Sequence, residues 1–140
     1  MNQAALETKI RASFARQTLM RTIGATLGSI AAGRVEIALP FADSLSQQHN
    51  YLHAAAVTAI ADSAGGYAAL SVMDEADEVV AVEFKINFVR PAVGDRFIAR
   101  GEVVTSGRSL SVCGIRVVAV TGSDERLVAV MSQTCMRIPA

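Results

Sequence analysis

The stretch from Gln47 to Met73 constrains this chain more than any other segment. From position 53 it reads HAAAVTAIADSAGGYAALSVM, with no Lys, Arg or Glu and with one carboxylate, Asp62. A surface helix normally has an apolar face and a charged face, so this composition predicts a helix over about 52–73 that protein covers on most sides. At helical period, small residues and the carboxylate fall on or near one face: Ala55, Thr58, Ala59, Asp62, Gly66 and Ala69.

Asp62 is the residue of this helix that most needs an explanation. A lone carboxylate in apolar surroundings costs free energy unless a partner compensates it. One interpretation is a structural Asp that bonds Ser or Thr hydroxyls. The other is a general base or, as the weaker alternative, a nucleophile, because burial raises the pKa of a carboxyl and makes it a better base for water.

Three motifs, in this order, resemble one known family. They are His53-Ala-Ala, Ala61-Asp62-Ser-Ala, and VEFKINFVRPA over residues 82–92. Together they resemble the PaaI-like branch of the hot-dog-fold acyl-CoA thioesterases, whose pattern is HGG, an Asp nine residues after that His, and a strand ending in R-P-A. The resemblance covers roughly residues 33–137 and departs from the pattern where HGG is His53-Ala54-Ala55. It implies hydrolysis of an acyl-CoA thioester.

The remaining periodicities predict the architecture. Leu6, Ile10 and Phe14 have helical spacing and indicate an amphipathic N-terminal helix over 1–20. A hairpin over 25–39 precedes the central helix, and four strands follow it, over about 79–89, 96–105, 109–120 and 126–137. One long helix between a hairpin and a four-strand meander predicts an α+β single domain over 1–140. The resemblance implies the hot-dog version, an antiparallel sheet curled around one long central helix.

Composition and motifs exclude several other classes. The formal net charge is +0, with 13 Lys plus Arg against 13 Asp plus Glu, so there is no general attraction to nucleic acid. P-loop, Rossmann, HExxH and GxSxG patterns are absent. Cys113 and Cys135 lie in strand-like apolar runs and are expected to be buried thiols. Residues 1–17 lack a signal-peptide core and no apolar run reaches membrane-spanning length, so we expect a cytoplasmic protein without membrane contacts.

A metal site is the weaker interpretation of the two histidines. His49 and His53 are four residues apart, the spacing of two ligands on one helix. The polar loop before the helix indicates that His49 precedes it, and no third ligand is evident. We therefore expect no metal and no cofactor, coenzyme A being part of the substrate. His53 is expected to cap the helix or to line the mouth of the site.

The start of the central helix is the predicted oxyanion site. Helix N-termini carry unpaired backbone N–H groups and a positive dipole end. The N–H of Ala54, which stands at the first glycine of HGG, is the expected donor. Eight residues separate Ala54 from Asp62, about 12 Å along a helix, whereas a reacting carbonyl needs both groups within about 3 Å. Two antiparallel copies of the helix would bring them together, so we expect a homodimer with shared sites, and beyond it a dimer of dimers, a homotetramer.

The resemblance also implies polar residues that assist catalysis, and this chain has other residue types at those positions. An Asn shortly before HGG is Gln47 here, with Gln48 and Asn50 as possible substitutes. A Ser or Thr on the strand after the helix is Ala81, so Ser63 or a backbone group would have to position water.

Two arginines are candidates for the phosphates of coenzyme A. Arg90 ends the FVR strand and Arg108 lies in a Gly-Arg turn, and guanidinium groups bind phosphate well.

The sequence therefore predicts an acyl-CoA thioesterase acting on a small-molecule ester. The first alternative is a non-catalytic binder of acyl-CoA or acyl-carrier protein. The second is a hydratase of the same fold, which needs an Asp/His pair on one short segment, whereas His53 and Asp62 are far apart along a helix.

Overall fold

The computed structural model describes residues 1–140 as three α-helices packed against one six-stranded sheet. The helices are α1 (Gln3–Ala15), α2 (Thr18–Ile23) and α3 (Ala54–Leu70), and a 3-10 turn spans Asp43–Leu45. The strands are β1 (Thr26–Ala31), β2 (Arg34–Pro40), β3 (Glu78–Phe88), β4 (Arg96–Ser106), β5 (Leu110–Thr121) and β6 (Asp124–Ile138). The α+β hot-dog prediction is confirmed, because an antiparallel sheet wraps around α3.

The strand order corrects one detail of the prediction. The order is β1-β2-β4-β5-β6-β3, so β4, β5 and β6 form a meander but β3 does not continue it. Instead β3 pairs with β6, from Glu78 opposite Ile138 to Phe88 opposite Ala129, and lies at the edge of the sheet. The connection after β3 is tied to the start of α3, where the N–H of Leu52 donates to the carbonyl of Ala92 at 3.0 Å. The chain therefore crosses the sheet before β4 and does not turn back beside β3.

The central helix is shorter than the predicted 52–73. It begins at Ala54 because His53 is its N-cap, with φ −60° and ψ 140°, and the His53 Nδ1 accepts the N–H of Ala55 at 2.8 Å. Leu52 belongs to an isolated β-bridge with Ser46, outside the helix.

Two glycines, which have no side chain, let the sheet approach α3 very closely. A Cβ atom on Gly101 of β4 would collide with the backbone of Ala64, and one on Gly65 would collide with the side chain of Gln133 on β6. These contacts confirm that small residues bring sheet and helix together at short range. They lie on the helix face that is formed by Ala61, Ala64, Gly65 and Ala68.

The opposite stripe of α3 is not covered by the chain itself. Ala55 is exposed, and Thr58, Ala59, Asp62 and Gly66 are partly exposed. Protein thus covers this helix on most sides, as predicted, and one face is left open in the isolated chain. A stripe of small side chains remains open along its length.

The N-terminal segment is two helices where one was predicted over 1–20. Leu6 and Ile10 of α1 are buried, and the ring of Phe14 packs against Tyr67 with centroids 6.0 Å apart. The chain then breaks at Arg16 and Gln17, and Gln17 has an extended backbone at the N-cap position of α2.

Both cysteines are free and buried, as predicted. None of the helices combines the length and the apolar character that crossing a bilayer requires.

Two adjacent glycines of α3 should respond oppositely to the same substitution. Gly65→Ala places a methyl group against Gln133 and 2.8 Å from Ile115, so we expect a loss of about 1–3 kcal/mol in the free energy of unfolding. Gly66→Ala meets nothing within 4 Å, and the better helix propensity should leave stability equal or raised by about 1 kcal/mol. Denaturant unfolding of both variants measures the difference. Equal stabilities would show that the sheet does not press on Gly65.

Candidate active site

The carboxylate of Asp62 is held by one side chain from the sheet. The Nε2 of Gln133 donates to Asp62 Oδ1 at 2.5 Å and to the Asp62 carbonyl at 3.2 Å. No cation pairs with this carboxylate. Burial raises the pKa of Asp62 above its ordinary value, and the hydrogen bond from Gln133 opposes that shift. The result is a carboxyl group with a raised pKa in a fixed orientation.

Gln133 was missed from the sequence although a signal for it exists. On β6 the buried inward positions alternate as Met131, Gln133 and Cys135. A Gln that is 1% exposed between two buried apolar residues needs a polar partner. The predicted strand alone was enough to identify Gln133 as a buried polar residue.

Asp62 faces a small polar cavity, named here the Asp62 cavity, of about 210 Å³. Ser63 also lines it, but the Ser63 Oγ donates to Gln17 Oε1 at 2.9 Å and does not contact the Asp62 carboxylate. Ala81 lines the same cavity and puts a methyl group where the resemblance implies a hydroxyl. The structure thus brings Asp62, Ser63 and Ala81 together.

A second cavity of about 310 Å³ lies at the start of α3 and is named the helix-start cavity. Its lining includes five of the predicted residues: Gln47, Gln48, His53, Ala54 and Arg90. The N–H of Ala54 has no acceptor within the chain, whereas the next three N–H groups all bond to His53. A free backbone donor at the positive end of a helix suits a developing oxyanion.

The loop before α3 uses two of the predicted binding residues for its own conformation. The Gln47 Oε1 accepts the N–H of His49 at 2.5 Å and that of Tyr51 at 3.4 Å. Asn50 has φ 62°, the left-handed region that Asn tolerates better than most side chains. These contacts account for both residues as parts of a tight turn.

The two predicted arginines lie at opposite ends of the sheet. Arg90 lines the helix-start cavity and also a neighbouring cavity of about 470 Å³, which it shares with Arg126. Arg108 is in the turn between β4 and β5, where Leu110 pairs with Met136 near the start of β3. Sequence reasoning missed Arg126, which lies near the start of β6 and is brought beside Arg90 only by the sheet register.

The two candidate cavities share no lining residue. Asp62 therefore faces one space and the free N–H of Ala54 faces another, as the spacing along the helix predicts. No group of three or more His, Cys, Asp or Glu side chains converges anywhere in the chain.

The profile of the Thioesterase superfamily matches residues 49–125 of this sequence, which include the start of α3 and Asp62. The chain belongs to this superfamily. A thioesterase family protein from Silicibacter pomeroyi is similar in structure, with a TM-score of 0.94 and 45% identity over 96% of this chain and 99% of that one.

Two further comparisons agree with membership in the thioesterase superfamily. The Escherichia coli PaaI protein of the phenylacetic acid degradation operon has the same fold, with a TM-score of 0.88 at 22% identity over 98% of this chain and 96% of that one. A protein of Saccharolobus solfataricus that is provisionally named an esterase is 31% identical over 62% of this chain. That match spans 61% of the relative's length. The resemblance to PaaI-like hot-dog thioesterases is confirmed.

Two carboxylates of this thioesterase-superfamily chain should affect stability with opposite sign. A pKa raised on folding gives stability that is present below the unfolded pKa and lost as pH rises through the folded value. Ionisation of Asp62 is therefore less favourable in the folded chain than in the unfolded one, so Asp62→Asn should leave the free energy of unfolding at pH 7 equal or raised.

The matched variant is Asp77→Asn. Asp77 is buried, lies 3.2 Å from the Arg137 guanidinium and accepts the N–H of Asp74. Its neutralisation should cost about 1–3 kcal/mol. Thermal unfolding at pH 7 checks both signs, and a destabilised Asp62→Asn would contradict the argument.

Proposed function

We propose that this protein is an acyl-CoA thioesterase that hydrolyses its substrate by direct attack of water. The observation that carries the proposal is Asp62, a partly buried carboxylate with no cation partner that faces an open cavity. The unpaired N–H of Ala54 supports it as the oxyanion donor. The resemblance implies these roles at both positions, and membership in the superfamily supports ester or thioester hydrolysis.

The proposed reaction needs one base and one oxyanion donor. Asp62 accepts a proton from water as the water oxygen bonds to the thioester carbonyl carbon. The carbonyl oxygen gains negative charge, which the Ala54 N–H at the positive end of α3 stabilises. The tetrahedral intermediate then collapses, the C–S bond breaks, and the coenzyme A thiolate leaves and takes up a proton. Gln133 fixes the orientation of the carboxylate, and its hydrogen bond opposes the rise in the pKa of Asp62 that burial causes.

We infer that the reaction takes place in a homodimer, because the two groups face separate cavities of one chain. Two surfaces of the chain support this inference. The open stripe of α3 offers small side chains to a second helix, and the free edge of β3 carries exposed apolar residues, Val82 at 55%, Phe84 at 45% and Phe88 at 49%. A long apolar edge strand is a template for another strand. A two-fold axis that makes α3 antiparallel to its copy would place Asp62 of one chain near Ala54 of the other. The predicted dimer of dimers stays a prediction.

Coenzyme A phosphates would bind near Arg90 and Arg126 in this arrangement. The two guanidinium groups share one cavity beside the helix-start cavity. If β3 pairs with its own copy, the turn that holds Arg108 in one chain approaches the Arg90 end of the other. Arg108 therefore also stays in the proposed phosphate site.

One observation favours a second candidate, a non-catalytic binder of acyl-CoA. Ala81 supplies no hydroxyl to the Asp62 cavity, and the Ser63 hydroxyl is engaged with Gln17. Neither side chain is free to position a water. Such a protein would bind acyl-CoA without turnover.

Hydrolysis of a panel of acyl-CoA esters by wild type and Asp62→Asn separates the two candidates. Asp62→Asn keeps the side-chain volume but removes the base, so kcat/KM should fall about 100-fold or more. Gln133→Leu removes the hydrogen bond that lowers the pKa of Asp62, so the acidic limb of the kcat/KM profile should move to higher pH.

The matched control for this panel is Asp43→Asn, which neutralises an exposed carboxylate in the 3-10 turn. Asp43→Asn should leave kcat/KM and its pH profile unchanged. Near wild-type turnover by a folded Asp62→Asn would refute Asp62 as the base. Binding without turnover by wild type would establish the second candidate.

Mixing two inactive variants tests the shared site. Asp62→Asn removes the base and Ala54→Pro removes the oxyanion donor. Proline suits the first helical position, and His53 already has the extended backbone that a residue before proline requires. In a mixed dimer one site would keep both groups and the other would lose both. Activity should therefore return to about half of the wild-type value per mixed dimer.

Mass spectrometry of differently tagged chains verifies that mixed dimers have formed. Absence of activity in verified mixed dimers would place the whole site on one chain.

A further inference from the structure

The outer face of the sheet, which is turned away from α3, is more apolar than a face in contact with water. An antiparallel sheet with one covered face and one solvated face alternates apolar and polar residues along each strand. On β5 the inward residues Cys113, Ile115 and Val117 belong to the core around α3. The outward residues of β5 are Val112, Gly114, Arg116, Val118 and Val120. Only one of them is polar, so the alternation expected of a solvated face is missing on this strand.

Exposed large apolar side chains continue the outer face on the neighbouring strands. Val80 of β3, Met136 of β6 and Leu110 of β5 form one row, because Met136 is paired with both of the others. Their exposed fractions are 41%, 41% and 50%. Val104 of β4 is 72% exposed, more than any other large apolar side chain of this protein. Contiguous apolar patches mark interaction surfaces, whereas single exposed apolar residues need no explanation.

A broad hollow of about 960 Å³, named here the outer hollow, lies beside Val104. Gly114 lines the outer hollow and has no side chain to fill it. A Cβ atom on Gly114 would lie 3.7 Å from Val104 Cγ2, so the exposed valine is next to the unfilled space. A two-fold axis near Gly114 would bring the Val104 of each of two copies to the outer hollow of the other. The shape of this face is therefore self-complementary.

The charged side chains around the outer hollow are balanced in number, but one of them has no partner. They are Arg34, Arg100, Arg116, Glu36, Glu102 and Glu125. Arg34 pairs with Glu102 at 2.8 Å. Arg100 pairs with Glu36 at 3.2 Å and with Glu125 at 2.7 Å. Arg116 lies directly opposite Arg100 and forms no ion pair within the chain. Like charges opposite each other destabilise a sheet, so a carboxylate from outside would stabilise this position.

The charge balance of the outer hollow indicates which partner fits it. An anionic membrane or a nucleic acid binds where cations are in excess, whereas three arginines meet three glutamates here. The same face of a second copy offers what is missing, because Glu102 is the cross-strand neighbour of Gly114 and lies next to Arg116 on this surface. Protein interfaces typically have an apolar centre and a polar rim, and the outer face has this composition.

We propose that the outer face around Gly114 binds the same face of a second copy, with Val104 and Val130 at the centre and Arg116 against a glutamate of that copy. The proposal does not depend on hydrolysis, because the outer hollow shares no lining residue with the Asp62 cavity or the helix-start cavity. It is also separate from the inferred dimer through α3 and β3. If that dimer forms, the outer face joins two such dimers.

Sedimentation velocity and native mass spectrometry of Val104→Lys and Arg116→Glu test this interface. Each variant should have half the mass of the wild-type assembly, because each places an unpaired charge in the contact. Both variants should fold, since Val104 is 72% exposed and a glutamate at position 116 would lie opposite Arg100. The matched control is Arg11→Glu, which reverses an exposed charge on α1 and should keep the wild-type mass.

A photo-cross-linker identifies the face that is in contact. Ser132→p-benzoylphenylalanine places the reactive group on β6 beside Gly114, its partner on β5. Illumination of the purified protein should join two copies through residues of the outer face, as mass spectrometry of the linked peptides would show. A monomeric wild type, a mass that Val104→Lys and Arg116→Glu leave unchanged, or cross-links that lead only to the helices would overturn the proposal.

Discussion

The hydrogen bond from Gln133 to Asp62 depends on a close approach between the sheet and the central helix. Gln133 lies over Gly65, where no side chain separates β6 from α3. One amide group can therefore reach both the carbonyl and the carboxylate of Asp62. The same glycine that lets the core close also decides where the candidate base points. Packing and chemistry are thus determined at a single position of the helix.

This arrangement lowers the stability of the fold around Asp62. The Gln133 Oε1 is buried without a hydrogen-bond partner, a defect that typically costs about 1–3 kcal/mol. Asp62 adds the cost of ionising in a partly buried place. The surrounding core is apolar and includes Ile60, Ile115 and Phe97. Polar defects of this kind persist where surrounding packing compensates for them, and they concentrate at functional sites.

Local pattern was enough to predict the strands and the central helix and to single out Asp62 as a candidate residue, but not the break between α1 and α2 or the contacts between distant strands. Period-two alternation is the same for β3 beside β4 or beside β6, so the edge position of β3 could not be predicted. The break at Gln17 has no Gly or Pro to mark it, and the spacing of Leu6, Ile10 and Phe14 runs on to it without interruption. Arg126 meets Arg90 only through the sheet register. Gln133 was predictable in principle, because its neighbours at two-residue spacing are apolar.

The small residues of α3 have two separate consequences, one on each face. On one face Ala64 and Gly65 admit the chain's own sheet, and on the other Ala55, Ala59 and Gly66 remain open. A helix that met only its own sheet would need small side chains on one face and could carry charges on the other. The absence of Lys, Arg and Glu from the open stripe, on which Asp62 is the one ionisable residue, is therefore explained if a second copy of the helix packs there. That same packing would bring Asp62 of one chain near the free N–H of Ala54 in the other, whereas about 12 Å separates the two groups within one chain. Assembly and catalysis would then depend on one surface.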